Sequence, residues 1–185
     1  MIAQQRRDER RKALQRTLEV CDLLDLRNVQ TVAEHAPKIT AFLLEEEKRK
    51  RVHVDFMRRQ QFINEKMRAF LVDWLAELHY KFKMWPETFF VAIGLIDRFL
   101  ARQHDFPKNE LQTLGITAFH IAGKYEEIYP PTLQTTLKIV NHVCTSREVL
   151  DMEALILQTL EFDVTFPSTL RFIERFSRLA QFNEK

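Results

Sequence analysis

The sequence predicts an all-α fold, and three observations carry this prediction. The chain has 185 residues but only 3 glycines, whereas sheets joined by tight hairpins need frequent glycine or asparagine at positive φ. Hydrophobic residues make up 45% of the chain, and they recur at third and fourth positions over long segments, as in amphipathic helices. Prolines stand between these segments, where helices begin or end. We therefore expect one globular helical domain with extensions.

A basic extension opens the chain, over residues 1–32. Six basic side chains lie between Arg6 and Arg16, against only Asp8 and Glu9. Such a run can contact phosphates or act as a nuclear-import signal. A solvated helix face with ion pairs is the favoured interpretation, and the extension is predicted to be helical or partly disordered.

Amphipathic segments follow the extension, and capping residues mark several of their starts. Asn64 can cap one helix, and Thr145 with Glu148 can form a capping box at another. The predicted helices run, in order, from Pro37 to Arg51, from after Asn64 to Phe82, from Pro86 to Leu100, from after Pro107 to Tyr125, from Leu133 to Val143, from Thr145 to Leu160 and from Leu170 to Ala180. Within the second core helix, Gly94 should cost about 1 kcal/mol relative to alanine.

Enzyme chemistry is not indicated by any motif. The sequence lacks GxSxG, a phosphate-binding GxxxxGK[ST], GxGxxG and HExxH, which carry hydrolase, nucleotide and zinc chemistry. The six histidines have no spacing typical of a metal site. Glu126 and Glu127 are adjacent, and neighbouring side chains point about 100° apart on a helix, so they do not form an acid/base pair. No cofactor is expected, and binding is favoured over catalysis.

Cysteine use and hydropathy suggest a protein of the nucleus and cytoplasm. Cys21 and Cys144 are far apart in the chain, which fits a reducing compartment better than a disulfide framework. The longest uncharged run, Leu111 to Gly123, has 13 residues, too few for the roughly 20 of a membrane span. No membrane association is expected.

Two charged residues stand inside apolar helical patterns. Arg68 follows Met67 in the first core helix, and Asp97 follows Ile96 in the second. A charge deep in a helix pair persists only when it is paired and hydrogen-bonded. We expect Arg68 to bind Asp97 in a bidentate pair across the two helices. The alternative is that both side chains extend separately to water.

Four motifs resemble, in order and spacing, the N-terminal cyclin box of A- and B-type mitotic cyclins. They are MRAFLVDWLAELHYKF (Met67–Phe82), ETFFVAIGLIDRFL (Glu87–Leu100), LQTLGITAFHIAGKYEEIYPP (Leu111–Pro131) and VLDMEALILQTLEFDV (Val149–Val164). INEKMR (Ile63–Arg68) is closer to B-type cyclins. The resemblance implies the five-helix cyclin box with its preceding helix over residues 33–166, and the start of a truncated second box over residues 167–185.

The resemblance also implies a partner, a cyclin-dependent protein kinase that this chain would activate without contributing a catalytic group. In such cyclins, the residues matching Lys124 and Glu153 bind the kinase αC helix and its flanking backbone. The apolar residues that match the kinase-facing patch are Ile121, Tyr125, Leu157, Phe162 and Val164. Without the resemblance, Lys124 would be a helix-end cation favoured by the dipole, and Glu153 a solvated acid.

A second implied surface is a groove that docks arginine-x-leucine segments of substrates or inhibitors. The residues that match this groove are Met67, Phe70, Leu71, Trp74, Glu77, Leu78 and Gln112. The alternative is that the residues of the first helix pack into the core, because core residues would have the same helical spacing. Phe70 stands where the family usually has a smaller aliphatic residue, so the groove is expected to differ in shape.

Two other classes of function remain open from the sequence. A cyclin fold can serve as a transcription factor that grips DNA, which would need a basic face on the box. The basic runs lie before Gln60, so nucleic acid is not expected as a partner. A helical scaffold without a kinase is the other alternative. Control of cell-cycle progression, at G2/M, is the favoured function.

Overall fold

A computed structural model describes residues 19–183, and all the regular secondary structure of this range is helical. Its α-helices are α1 (Val20–Asp25), α2 (Ala36–Lys50), α3 (Glu65–Phe82), α4 (Pro86–Leu100), α5 (Leu111–Glu126), α6 (Leu133–Ile139), α7 (Ser146–Thr159) and α8 (Thr169–Asn183). Short 3₁₀ turns lie at Val29–Thr31, Ala33–His35, Phe56–Arg59 and Lys108–Glu110. The predicted all-α fold is confirmed. Most of the basic extension lies outside the described residues.

Contacts divide the chain into two compact units. The first contains the described residues up to Lys50 and those from Arg171 onward. Within it, the guanidinium of Arg175 donates to both carboxylate oxygens of Asp22, at 2.5 and 2.8 Å, and Arg178 pairs with Asp25. The second unit is Arg51–Leu170. The predicted domain boundaries after residues 32 and 166 stay predictions.

The second unit is built around α5, which packs against α3, α4 and α7. Five apolar residues in the middle of α5 are completely buried: Leu114, Ile116, Ala118, Phe119 and Ala122. Gly115 allows α3 to approach closely, because a Cβ at this position would lie 2.7 Å from Leu71 Cδ1. The charged residues of α5 are therefore confined to its last turn, where the helix leaves the core.

The helix starts follow the predicted caps. Asn64 Oδ1 accepts a hydrogen bond from the main-chain N–H of Met67 at 3.0 Å. At the start of α7, Thr145 Oγ1 accepts from Glu148 N–H at 3.2 Å, and Glu148 Oε2 accepts from Thr145 N–H at 2.7 Å. The predicted cap and capping box are confirmed. The N–H of Thr145 holds the pKa of the Glu148 carboxyl below its usual range.

The predicted end of the fourth core helix was wrong. α6 ends at Ile139 rather than Val143, because Asn141 and His142 adopt left-handed φ values of 53° and 52°, which cannot continue a right-handed helix. The chain turns there so that Val140 and Cys144 are both buried. The sequence pattern did not reveal this, because apolar residues that are buried by a turn are spaced much like those that are buried by a helix.

No helix in the described part of the chain combines the length and apolarity that a membrane span requires.

Candidate functional site

Lys124 and Glu153, the two charged residues expected to anchor a partner, bind each other. Lys124 lies in the last turn of α5, where a cation is favoured by the helix dipole. Its Nζ donates a hydrogen bond to Glu153 Oε1 on α7. The Lys124 side chain is 44% exposed and that of Glu153 14% exposed. The sequence pointed to both residues but did not predict this pairing, since they are 29 positions apart.

His120 lies one helical turn before Lys124 and extends the same polar cluster. The ring is half-buried, and its pKa is lowered first by burial and then by the positive charge of Lys124, while Glu153 opposes both effects. Burial disfavours the charged imidazolium. The cluster therefore holds one cation, one anion and a histidine that favours its neutral form.

The five predicted apolar residues around this pair differ in how much surface they offer. Ile121 is buried, and Leu157 and Val164 are half-buried against the core. Tyr125 and Phe162 are exposed. This set of residues therefore offers two exposed rings rather than five open side chains.

The segment after α7 holds Phe162 in place through its backbone. Glu161 and Phe162 have φ values of 55° and 58°, a left-handed conformation that is uncommon for bulky residues. The N–H of Phe162 donates to the carbonyl of Leu157 at 2.8 Å. Three residues later, Thr165 shares a hydrogen bond of 2.9 Å with the hydroxyl of Tyr125. The exposed ring of Phe162 is thus carried by a fixed turn.

A separate cavity of about 420 Å³ lies between α3 and the start of α5. Five residues of the predicted docking groove line it: Met67, Phe70, Leu71, Trp74 and Gln112. Glu77 does not line this cavity, and Leu78 belongs to the buried core. For Leu78, the core interpretation of the helical stripe is the one that applies.

The prediction from sequence missed three residues that line this cavity, Lys108, Asn109 and Leu111. Leu111 immediately precedes Gln112 in the sequence, which was a usable signal. Lys108 and Asn109 belong to the short 3₁₀ turn before α5, and nothing in the hydrophobic pattern points to them.

Arg68 and Asp97 form a bidentate ion pair between α3 and α4. The Arg68 Nε–Asp97 Oδ1 distance is 2.6 Å and the Nη2–Oδ2 distance is 2.5 Å. The hydrogen bond to Asp97 raises the pKa of Arg68 above its usual value despite partial burial. The two side chains are 29% and 20% exposed, so water still reaches the pair. It ties the start of α3 to the last turns of α4, within the second unit.

Glu127, whose role the sequence left open, connects the end of α5 to the start of α4. Its Oε1 accepts hydrogen bonds from Trp85 N–H at 2.8 Å and from the buried Thr88 hydroxyl at 2.5 Å. A carboxylate supplied from 39 to 42 residues away thus satisfies main-chain and side-chain donors in the first turn of α4. These donors would otherwise be costly to bury.

The described residues contain no group of three or more histidine, cysteine, aspartate or glutamate side chains arranged to hold a metal ion.

One known domain family matches the sequence over most of the chain. Residues 38–165 match the family described as the cyclin N-terminal domain. Among solved structures, the chain resembles a viral cyclin from herpesvirus saimiri with a TM-score of 0.60 and 21% identity, over 68% of this chain and 56% of that one. At this identity, the likeness concerns the fold alone.

Several similar sequences are B-type cyclins. The chain is 41% identical over 162 residues to a G2/mitotic-specific cyclin-B of Dictyostelium discoideum, which covers 88% of this chain and 37% of the relative. It is 39% identical over 160 residues to cyclin-B2-1 of Oryza sativa subsp. japonica, over 86% and 38% of the two chains. It is 37% identical over 154 residues to G2/mitotic-specific cyclin-B1 of Xenopus laevis, over 83% and 38%. The chain therefore spans well under half of the length of these relatives.

Proposed function

The chain belongs to the cyclin family, and we propose that it is a regulatory subunit that binds and activates a cyclin-dependent protein kinase. The observation that carries the proposal is the Lys124–Glu153 pair, which lies at the surface with the exposed rings of Tyr125 and Phe162 in the same set of family positions. A charged anchor beside exposed aromatic side chains is typical of protein interfaces.

The proposed mechanism is a shift of the kinase between two conformations. Docking against the αC helix moves that helix inward, so that its glutamate pairs with the β3 lysine and the activation loop accepts substrate. The cyclin contributes only its preference for the active form. Changing a population from 1:99 to 99:1 needs about 5.5 kcal/mol of differential binding, a quantity that an apolar interface with an anchored ion pair can supply.

The test exchanges the two charges while keeping them paired. Lys124→Glu combined with Glu153→Lys preserves an ion pair between α5 and α7 but inverts the charges that a partner meets. We expect the double variant to keep its helical circular dichroism and its melting temperature within a few degrees, and to lose kinase binding in a pull-down with purified cyclin-dependent kinases. The matched control reverses an exposed pair on α7, Arg147→Asp with Asp151→Arg, which should bind as the unchanged chain does. Retained kinase binding by the exchanged variant would remove Lys124 and Glu153 from the interface.

We propose the cavity on α3 as the docking groove for arginine-x-leucine segments of substrates or inhibitors. Its apolar wall of Met67, Leu71 and Trp74 suits the leucine, and Gln112 can hydrogen-bond an extended backbone. The exposed ring of Phe70 adds apolar surface at the rim.

Peptide binding tests this groove with the two tryptophans of the chain as a matched pair. The affinity for a labelled arginine-x-leucine-phenylalanine peptide, measured by fluorescence anisotropy, should fall by a factor of roughly ten or more after Trp74→Ala, as expected for an aromatic anchor. Trp85→Ala, outside the cavity, should leave the affinity unchanged. Phe70→Ala serves as a second groove variant, because its exposed ring can be removed without opening the core. Equal affinities for all four proteins would argue against docking at this cavity.

We also propose when and where in the cell the chain acts. The similarity to B-type cyclins supports a role at G2/M, and the chain is expected in the nucleus and cytoplasm. Fluorescence microscopy of the tagged chain through a synchronised cell cycle would show both.

A further inference from the structure

The cavity between α3 and the start of α5 carries an unbalanced charge. Of the eight described residues that line it, Lys108 is the only charged one, and none is an acid. Asp73, Glu77 and Glu110 are close to the lining residues in the sequence, but they do not line the cavity. A segment that enters the cavity therefore meets a cation and apolar walls, whereas an arginine would find no carboxylate there.

Lys108 belongs to a short turn that is fixed to the core on both sides. Phe106, two residues earlier, is buried, and its ring packs edge-on against Phe99 with 5.4 Å between the centroids. Leu111, three residues later, is also buried, and its N–H donates to the carbonyl of Lys108. The backbone of Lys108 is thus held beside the cavity while the residue stays exposed. A preorganised group loses less entropy on binding than one on a mobile segment.

The polar side chains at this edge of the cavity have unused hydrogen-bonding groups. Within the part of the chain that the structure describes, no hydrogen bond or ion pair occupies the side chains of Lys108, Asn109 and Gln112. The two amides each offer donors and an acceptor, as an extended peptide backbone requires. The ammonium offers donors only, and its strongest partner is a carboxylate, because the hydrogen bond is then assisted by charge.

We propose that the cavity selects leucine-containing docking segments that carry an aspartate or a glutamate close to the leucine, and that Lys108 binds this carboxylate. The inference rests on the proposed docking function of the cavity and names a class of segment for it. The leucine packs on the apolar wall, and the two amides bind the extended backbone. A basic residue in the place of the acid would be repelled by Lys108, which discriminates against segments that are basic throughout.

Peptide binding to the full chain tests the proposal. Labelled peptides of equal length keep the arginine and the leucine fixed, while an aspartate is placed in turn at each of the other positions near the leucine. Each peptide has a matched partner with asparagine in place of the aspartate. At one or two neighbouring positions, the aspartate peptide should bind roughly two- to fivefold more tightly, as expected for an exposed ion pair. This difference should shrink when the salt is raised from about 50 to about 500 mM.

Variants of Lys108 assign the preference to this side chain. Lys108→Gln should abolish the preference for aspartate without changing the affinity for the asparagine peptides, and Lys108→Glu should favour a peptide with lysine at the same position. The matched control is Lys81→Gln, which removes an exposed lysine of α3 that does not line the cavity. This control should keep the preference. Circular dichroism verifies that the variants are folded.

The outcomes separate this inference from the proposed groove. If Trp74→Ala weakens the binding of all peptides, but aspartate and asparagine peptides bind equally at every position, the inference is overturned while the groove stands. If Lys108→Gln keeps the preference for aspartate, Lys108 does not bind the acid and the inference fails in the same way. If no peptide binds, or if Trp74→Ala leaves every affinity unchanged, the groove and the inference both fail.

Discussion

Arg68 and Asp97 show how a single side-chain pair can be inferred from a sequence pattern. Each is a charge in an otherwise apolar helical stretch, and each finds the other in a bidentate geometry. Lys124 and Glu153 show the opposite case. Lys124 lies in the last turn of α5, where an isolated cation is acceptable, so no pattern in the sequence required it to pair with Glu153. A charge inside an apolar helical pattern predicts its own partner, whereas a cation at a helix end does not.

Removing one member of the Arg68–Asp97 pair should destabilise the second unit. We expect Asp97→Asn to lower the free energy of unfolding by about 2 kcal/mol, which is less than the 3–5 kcal/mol of a fully buried pair because water reaches both side chains. Urea denaturation followed by circular dichroism measures the change. Asp151→Asn, in the exposed pair with Arg147, should cost less than about 0.5 kcal/mol. Equal effects at the two sites would show that the buried geometry contributes nothing.

His120 should make the stability depend on pH in one direction. Its pKa is lower in the folded chain than the value of about 6.5 expected after unfolding, so the unfolded state binds more protons as the pH falls below that value. The stabilisation is therefore present above pH 6.5 and is lost as the pH falls through the folded-state pKa. The drop in melting temperature between pH 7.5 and pH 5.5 should be smaller in His120→Gln than in the unchanged chain. An identical drop in both proteins would contradict this expectation.

Whole helices were predicted well wherever a side chain or a proline fixes the end of the helix. α3, α4 and α7 begin at the expected residues because Asn64, Pro86 and Thr145 act through local chemistry. The end of α6 depends on left-handed residues that no local rule required, and the prediction failed there. The link from Glu127 to Trp85 and Thr88 could not be predicted either, since it depends on how α4 and α5 pack.

Gly94 in α4 illustrates how packing can reverse a helix propensity. From sequence, alanine would be favoured there by about 1 kcal/mol. In the structure, a Cβ on Gly94 would lie 2.1 Å from Cζ of Phe166, whose ring also packs against the Arg98 guanidinium at 5.3 Å. Glycine therefore leaves room for the Phe166 ring to lie against α4.

We expect Gly94→Ala to destabilise the chain by about 1–2 kcal/mol, because the overpacking cost exceeds the gain in propensity. In a Phe166→Ala background, the same substitution should be neutral or stabilising, since the obstructing ring is gone. A double-mutant cycle from urea denaturation gives the coupling between the two positions. Additive effects would mean that the ring moves away without cost.

The molecule as a whole carries a formal net charge of only +2, which bears on the DNA-binding alternative. The basic runs lie before Gln60, and Tyr125 and Phe162 of the second unit are exposed apolar side chains. We expect no shift of duplex DNA in an electrophoretic mobility assay at 150 mM salt, while kinase binding should change little between 50 and 300 mM salt. DNA binding that weakens steeply as salt is raised would indicate contacts to phosphates and favour the nucleic-acid alternative.

The Lys124–Glu153 pair also has a consequence for how a partner arrives. A lysine ammonium has three N–H groups, and Glu153 Oε1 accepts from Nζ while 44% of the Lys124 side chain stays open to solvent. The remaining N–H groups can donate hydrogen bonds to carbonyl oxygens of an incoming chain without any internal bond being broken. Binding at Lys124 would therefore add hydrogen bonds without replacing the one to Glu153, and the two opposite charges would stay paired. Partners that offer a second carboxylate here gain from the lysine but are repelled by the glutamate, which favours neutral carbonyl groups as the matching chemistry.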